Sequence, residues 1–362
     1  MVRKKIFLLV GTRPNFIKVT RFKSLADQYQ VEVKIVHTGQ HYDENMANVF
    51  FDQFNLKPDY FLNINQGSPL GQIAEIMLKL EALFLEVGKP DVFVVPGDVN
   101  STLAGSLVAN KMGVQLAHLE SGLRSFDRSM PEEHNRVVTD NLSDLCFVTE
   151  PSGIENLKDE KIKAEVYYVG NTMIDTLVGF SDQIDQSDVL NQYQLDDQGY
   201  YLMTFHRPSN VDNRDELLEL IATIKAISEK RKTVLPLHPR TKNNLQKHHL
   251  LDDLQALKSV IITGPLGYFE FQKLIKHAKA MITDSGGIQE ETTFRKVPCL
   301  TMRDNTERPI TITQGSNVLV PFDKKIILQH LDEIEDGTFK KGEIPHLWDG
   351  KSTERILDIL SK

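Results

Sequence analysis

Short apolar runs alternate along the chain with longer stretches of helical spacing, a pattern of βαβ units that builds a parallel sheet. In the first half the predicted strands are Ile6–Val10, Val33–Val36, Val92–Val95, Gln115–His118 and Leu145–Val148. A second series follows Gly170-Asn171-Thr172, with Tyr201–Phe205, Thr233–Pro236, Ser259–Ile262, Ala280–Thr283 and Cys299–Thr301. Two doubly wound, Rossmann-like α/β domains are expected. The strand pattern shifts at Tyr167–Val169, which places the domains at 1–169 and 170–351, although the polar stretch Ser181–Gly199 has the look of a linker. The last segment, Ser352–Ser361, has helical spacing at Ile356, Leu357 and Leu360.

Length agrees with this division, since 362 residues fit two domains of roughly 100–200 residues each. A formal charge of −8 gives no reason to expect nucleic acid or an anionic membrane as partner, so any polyanionic ligand should be small. No apolar run approaches the roughly 18 residues of a membrane span. Lys4-Lys5 before Ile6–Val10 imitates a signal peptide, but Gly11-Thr12-Arg13-Pro14 interrupts it; a buried first strand in a cytoplasmic protein is expected. Cys146 and Cys299 lie in apolar stretches without metal-ligand spacing and read as buried thiols.

Ligands of open α/β sheets bind outside the carboxyl ends of the strands, so polar clusters there carry most information. Gly11-Thr12-Arg13-Pro14-Asn15-Phe16-Ile17-Lys18 leaves a strand and starts a helix, where free N–H groups with Arg13 and Lys18 would attract an anion; a turn with two solvated cations is the equal alternative. Asp98, in Pro96-Gly97-Asp98-Val99-Asn100, is a site carboxylate or ordinary turn chemistry. Glu120 follows the strand ending at His118, and Glu132 and Glu133 open a helix at Pro131, where, taken singly, helix capping and pairing with Arg136 explain them better than a catalytic role. Together, Asp98, Glu120 and Glu132 at one sheet edge would repel one another, raising at least one proton affinity toward the range useful for acid–base work.

In the second half, His206 and His238 stand at successive strand exits as phosphate ligands, acids or capped loop histidines. Thr283-Asp284-Ser285-Gly286-Gly287-Ile288-Gln289-Glu290-Glu291 is a strand, a turn and a helix start, the physical design for a diphosphate, with Glu291 in reach of ribose hydroxyls. Arg308, in a charged loop after the last predicted strand, reaches a phosphate or pairs with Asp304 or Glu307.

In this order, from Gly11 to about Pro309, these motifs resemble the non-hydrolysing UDP-N-acetylglucosamine 2-epimerases. The resemblance implies a glycosyltransferase-B-like fold with a cleft between its domains, a final helix at about 352–362 returning to the first domain, and a UDP-binding second domain. It further implies no metal or other cofactor, and a UDP-N-acetylhexosamine as substrate; a homodimer is compatible with it. It assigns Asp98, Glu120 and Glu132 to catalysis and His206 to the departing UDP. Arg13, Lys18, Phe271, Ser285, Gly287, Glu291 and Arg308 are assigned to the nucleotide and sugar, with Phe271 facing the uracil, where an aromatic residue is otherwise core. The segments Thr38–Asp43 and Phe126–Met130 look closer to branches acting on modified sugars such as 2,3-diacetamido uronates.

The implied chemistry is inversion of C2 by loss of UDP, formation of a glycal and re-addition. A hydrolysing epimerase, a glycosyltransferase of the same architecture and a nucleotide-sugar sensor are the rivals; Gly11-Thr12-Arg13-Pro14 favours the non-hydrolysing branch.

Overall fold

The computed structural model describes residues 3–39, 51, 53–65 and 67–362. These form two compact units, Met1–Gly179 with His346–Lys362, and Phe180–Pro345. The division thus falls at Gly179/Phe180, beyond the Val169 drawn from the strand pattern. Helix Thr172–Gly179 belongs to the first unit because Thr176 donates its hydroxyl to the Ile17 carbonyl at 2.6 Å.

In the first unit the described strands are β1 (Lys4–Val10), β2 (Val31–His37), β3 (Tyr60–Phe61), β4 (Val92–Pro96), β5 (Gln115–Ser121), β6 (Leu145–Val148) and β7 (Glu165–Tyr168). They form one sheet of order β3-β2-β1-β4-β5-β6-β7, with every pair parallel. β1 and β4 are almost continuously apolar because helices cover both faces of a parallel sheet. Phe7, Leu9, Phe93 and Val95 lie in one buried cluster with Ile76, Leu80 and Phe84 of helix Pro69–Val87.

The second unit holds β8 (Tyr200–Thr204), β9 (Lys232–Pro236), β10 (Val260–Thr263), β11 (Ala280–Thr283), β12 (Cys299–Met302) and β13 (Asn317–Val320). Their order is β10-β9-β8-β11-β12-β13, again parallel throughout. The two-residue period of a strand divides β8 between the faces: Tyr201 and Met203 enter one apolar cluster, Tyr200 and Leu202 the other. Both sheets reverse direction of winding beside their first strand, between β1 and β4 and between β8 and β11, where the strand exits of an open sheet diverge to leave room for a ligand.

Cys146 and Cys299 are free and buried. Burial pushes the Cys146 thiol up to about 12 and the Cys299 thiol to about 11, so neither supplies a thiolate. Among the described residues no helix is long and apolar enough to cross a membrane.

Helix Ser352–Leu360 is fixed to the first unit at its start. Asp175 accepts from the Ser352 amide at 3.0 Å, from the Thr353 hydroxyl at 2.7 Å and from the Thr353 amide. Nearby, the buried Trp348 indole donates to the Thr149 carbonyl at 3.0 Å. Asp175→Ala would strand two buried helix-start N–H groups, and a loss of about 1–3 kcal/mol is expected. Urea unfolding monitored at Trp348 checks this; an unchanged midpoint would contradict the anchoring role.

Candidate active site

In the first unit the site is built on the exits of β1, β4 and β5. Helix Arg13–Ile17 starts with Pro14 in its first turn, and Thr12 donates its hydroxyl to Asn15 at 2.8 Å. Asn15 in turn donates to the Pro96 carbonyl at 2.9 Å, tying the β1 exit to the β4 exit. Arg13 is exposed, whereas Lys18 is buried and its ammonium pairs with Glu120. Gly97 must lack a side chain here: its φ is 67°, and a Cβ would lie 3.0 Å from the Lys18 Nζ.

Glu120 is not simply the residue after the strand. β5 continues to Ser121, and its register with β6 passes from Leu119↔Phe147 to Ser121↔Val148, skipping Glu120. Such a bulge re-aims a side chain that regular pairing would place elsewhere. Glu120 has φ 66°, a left-handed conformation costly for a residue with a side chain. Gly122 follows with φ 77° and packs so closely on Gly153 that a Cβ would lie 2.4 Å from its carbonyl oxygen.

The Asp98 carboxylate pairs with Arg136, whose other nitrogen holds Glu133 at 2.5 Å. Glu133 also accepts from the Ser125 amide at 3.0 Å, the Ser125 hydroxyl at 2.9 Å and the Phe126 amide at 2.9 Å. Burial pushes the Glu133 carboxyl up, but these donors and Arg136 hold it below the usual carboxylate range. The capping and pairing expected of the Glu132–Glu133 dipeptide therefore falls to Glu133. Glu132 is partly exposed, and its side chain makes no hydrogen bond or ion pair among the described residues. The expected mutual repulsion of three carboxylates does not govern this edge, because Asp98 and Glu120 each face a cation of their own.

In the second unit, His206 follows β8 and Asp284 follows β11. Asp284 is fully buried and accepts from His206 Nδ1 at 2.8 Å, the backbone amides of His206 and Arg207 at 2.9 Å each, and Asn210 Nδ2 at 3.1 Å. That leaves His206 Nε2 as the outward nitrogen of a half-buried ring. The His238 ring lies 5.3 Å from it, centroid to centroid, and burial together with His206 lowers the His238 pKa. Ser285 stands at the start of helix Gly286–Arg295, where its side chain makes no capping bond. Gly287 belongs to the first turn, and Glu291 is buried further along. Phe271, on helix Tyr268–His277, is partly buried against the Tyr200 and Leu202 cluster.

Arg308 is buried, and of the expected partners it takes Glu307, with Glu290 at 2.8 Å as a second. Burial would push Glu307 up, yet Arg308 and Arg303 hold it well below the carboxylate range. Substituting Arg308 would consequently disturb folding as well as any ligand. The segment Gln40–Asp43 lies outside the described residues.

The sequence profile described as UDP-N-acetylglucosamine 2-epimerase matches residues 23–361. The chain belongs to the UDP-N-acetylglucosamine 2-epimerase family, a family of isomerases. It is 41% identical over 365 residues to the UDP-N-acetylglucosamine 2-epimerase of Methanocaldococcus jannaschii, covering 99% of each chain. It is 36% identical over 370 residues to the UDP-2,3-diacetamido-2,3-dideoxy-D-glucuronate 2-epimerase of Pseudomonas aeruginosa, again covering 99% of each. The crystal structure of the M. jannaschii enzyme in complex with UDP-GlcNAc and UDP is similar with a TM-score of 0.89 and 40% identity, covering 99% of both chains.

Asp284, Glu133 and Asn15 were not singled out as site residues by sequence reasoning, although Asp284 carried a signal: an acidic residue directly after an apolar strand and before Ser285-Gly286-Gly287. Burial pushes the Asp284 carboxyl up, but His206 and the amides of Arg207 and His206 hold it below its ordinary value. A depressed folded pKa contributes stability that is present above the unfolded value of about 4 and is lost as pH falls through the folded one. Asp284→Asn is therefore expected to cost about 1–3 kcal/mol at pH 7 and progressively less as pH falls from the unfolded value of about 4 toward the folded one. Denaturant melts across pH check this, and a constant difference at every pH would contradict it.

Proposed function

We propose that the chain inverts carbon 2 of a UDP-linked N-acetylhexosamine, keeping the sugar on UDP in the product. The observation that carries this reading is the pair of strand-exit carboxylates, Asp98 and Glu120, each set against its own cation in a chain similar to C2 epimerases over 99% of its length. The substrate class is UDP-N-acetylglucosamine or an analogue modified at C3 or C6, since relatives named for both kinds align equally fully.

The C2 hydrogen of a hexosamine is not acidic, so a base alone does not invert the centre readily. Cleavage of the C1–O bond sends its electron pair to UDP, a carboxylate takes the C2 proton, and the C–H pair forms the C1–C2 double bond of a glycal. Reversal then delivers a proton to the opposite face of C2 while a UDP oxygen re-forms the bond to C1. Atoms balance without water or a redox partner, which distinguishes this route from hydrolysis.

Within the first unit, Lys18 lies against Glu120 and Arg136 against Asp98, so each carboxylate is oriented by a cation of its own. Glu132, free of such a partner, is suited to exchange a proton. Arg13, exposed at the β1 exit, is a cation suited to an anionic ligand. In the second unit, the Ser285 hydroxyl, the Gly287 N–H and the Nε2 of His206 suit the departing diphosphate, Glu291 the ribose and Phe271 the uracil; Arg308 braces that helix start. His206 has the form of a group that gives a proton to the leaving oxygen, because Asp284 holds its other nitrogen.

In D₂O the 2-epimer is expected to carry deuterium at C2 while still attached to UDP. Asp98→Asn, Glu120→Gln and Glu132→Gln should each depress this exchange by ~10²–10⁴, the range of general acid–base groups. Mass spectrometry of the UDP-sugar pool reads it. Transfer of sugar to an acceptor without C2 exchange would sink the epimerase reading in favour of a glycosyltransferase.

A further inference from the structure

We propose that His118 is a buried imidazolium, a positioning residue that fixes both carboxylate-bearing turns of the first unit. The side chain is 0% exposed. Its Nδ1 lies 2.7 Å from Asp140 Oδ1 and its Nε2 lies 2.7 Å from the Gly97 carbonyl oxygen. Both partners are acceptors. A neutral imidazole carries one N–H, so either tautomer would aim a lone pair at an oxygen at hydrogen-bonding distance, whereas the imidazolium donates to both.

The surroundings keep that proton on the ring. Asp140 Oδ2 accepts from the Gly122 amide at 3.1 Å and pairs with Arg124 Nη1 at 2.7 Å, so Asp140 is a carboxylate and not the donor. Although burial pushes its carboxyl up, His118 and Arg124 hold it below its ordinary range. Arg124 is balanced in turn by Glu160, at 2.7 Å from Nε and 2.6 Å from Nη2. Two cations and two carboxylates therefore close on one another. Cys146, the neighbouring thiol, is pushed up to about 12 by burial and by Asp140, and adds no charge.

The two ends of this chain of bonds are the two turns of the site. Gly97 immediately precedes Asp98, and its amide donates to the Leu119 carbonyl at 3.0 Å, next to Glu120. Gly122 follows the bulge that turns Glu120 out. One ring thus holds the Asp98 turn directly, through its carbonyl, and the Glu120 turn through Asp140. The consequence for catalysis rests on Asp98 and Glu120 being the proton-transferring carboxylates; the charge state of His118 does not.

Long-range ¹H–¹⁵N NMR of the ¹⁵N-histidine-labelled full chain, assigned with His118→Gln, tests the charge directly. Both ring nitrogens of His118 should be protonated at a pH where free imidazole in solution is neutral; one unprotonated nitrogen would overturn the proposal, whatever the activity. Asp140→Asn should remove the doubly protonated signature. With a turned-over UDP-sugar, His118→Gln should lower kcat by ~10²-fold, the scale of a misplaced reacting group, with KM and UDP affinity nearly unchanged. An imidazolium whose removal leaves kcat intact would refute positioning. An imidazolium in a chain that exchanges no C2 proton would instead refute the epimerase reading and leave the charge assignment standing.

Discussion

A carboxylate at a strand exit, taken largely out of water, needs a nearby group to replace the lost solvation. In the first unit that requirement is met twice, by Lys18 at Glu120 and by Arg136 at Asp98, and the local backbone follows from it. The bulge in β5 turns Glu120 toward Lys18, and Gly97 leaves space for the Lys18 ammonium. Asn15 keeps helix Arg13–Ile17, and with it Lys18, against the β4 exit. Removing a cation from either pair would leave a poorly solvated charge, which costs more than the pair contributes by itself.

The second unit solves the same problem with a different set of donors. There the buried group is Asp284, and its partners are amides and the inner nitrogen of His206, which directs the outer nitrogen away from the sheet. The neighbouring helix start keeps its first turn open because Ser285 makes no capping bond, while Arg308, Glu307, Glu290 and Arg303 form a buried ion cluster beside Gly286. An anion is favoured at such a helix start by unsatisfied N–H groups more than by net charge.

Central strands were legible because a parallel sheet covered on both faces demands continuous apolar runs; β6 and β11 coincide with the predicted Leu145–Val148 and Ala280–Thr283. Edge strands were harder. β3 is two residues long, β7 is partly exposed, and β13 is four residues at the sheet margin, so none produces a strong apolar run. Strand-exit motifs identified which segments carry polar chemistry, but not which neighbour each side chain takes. The bulge at Glu120 depends on the register of β6, the roles of Glu132 and Glu133 depend on where Ser125 and Arg136 lie, and Arg308 depends on Glu290 from a different element. These are tertiary choices that helical or strand periodicity does not encode.

The central claim is that C2 is inverted without loss of the sugar from UDP. Incubation of the chain with UDP-N-acetylglucosamine and with C3-acetamido and C6-oxidised analogues, followed by chromatography and proton NMR of the sugar, tests it most directly. The account predicts an equilibrium mixture of two UDP-linked C2 epimers for at least one of these substrates, with no free sugar accumulating. Release of UDP together with free N-acetylmannosamine, or unchanged C2 stereochemistry across the whole panel, would contradict it.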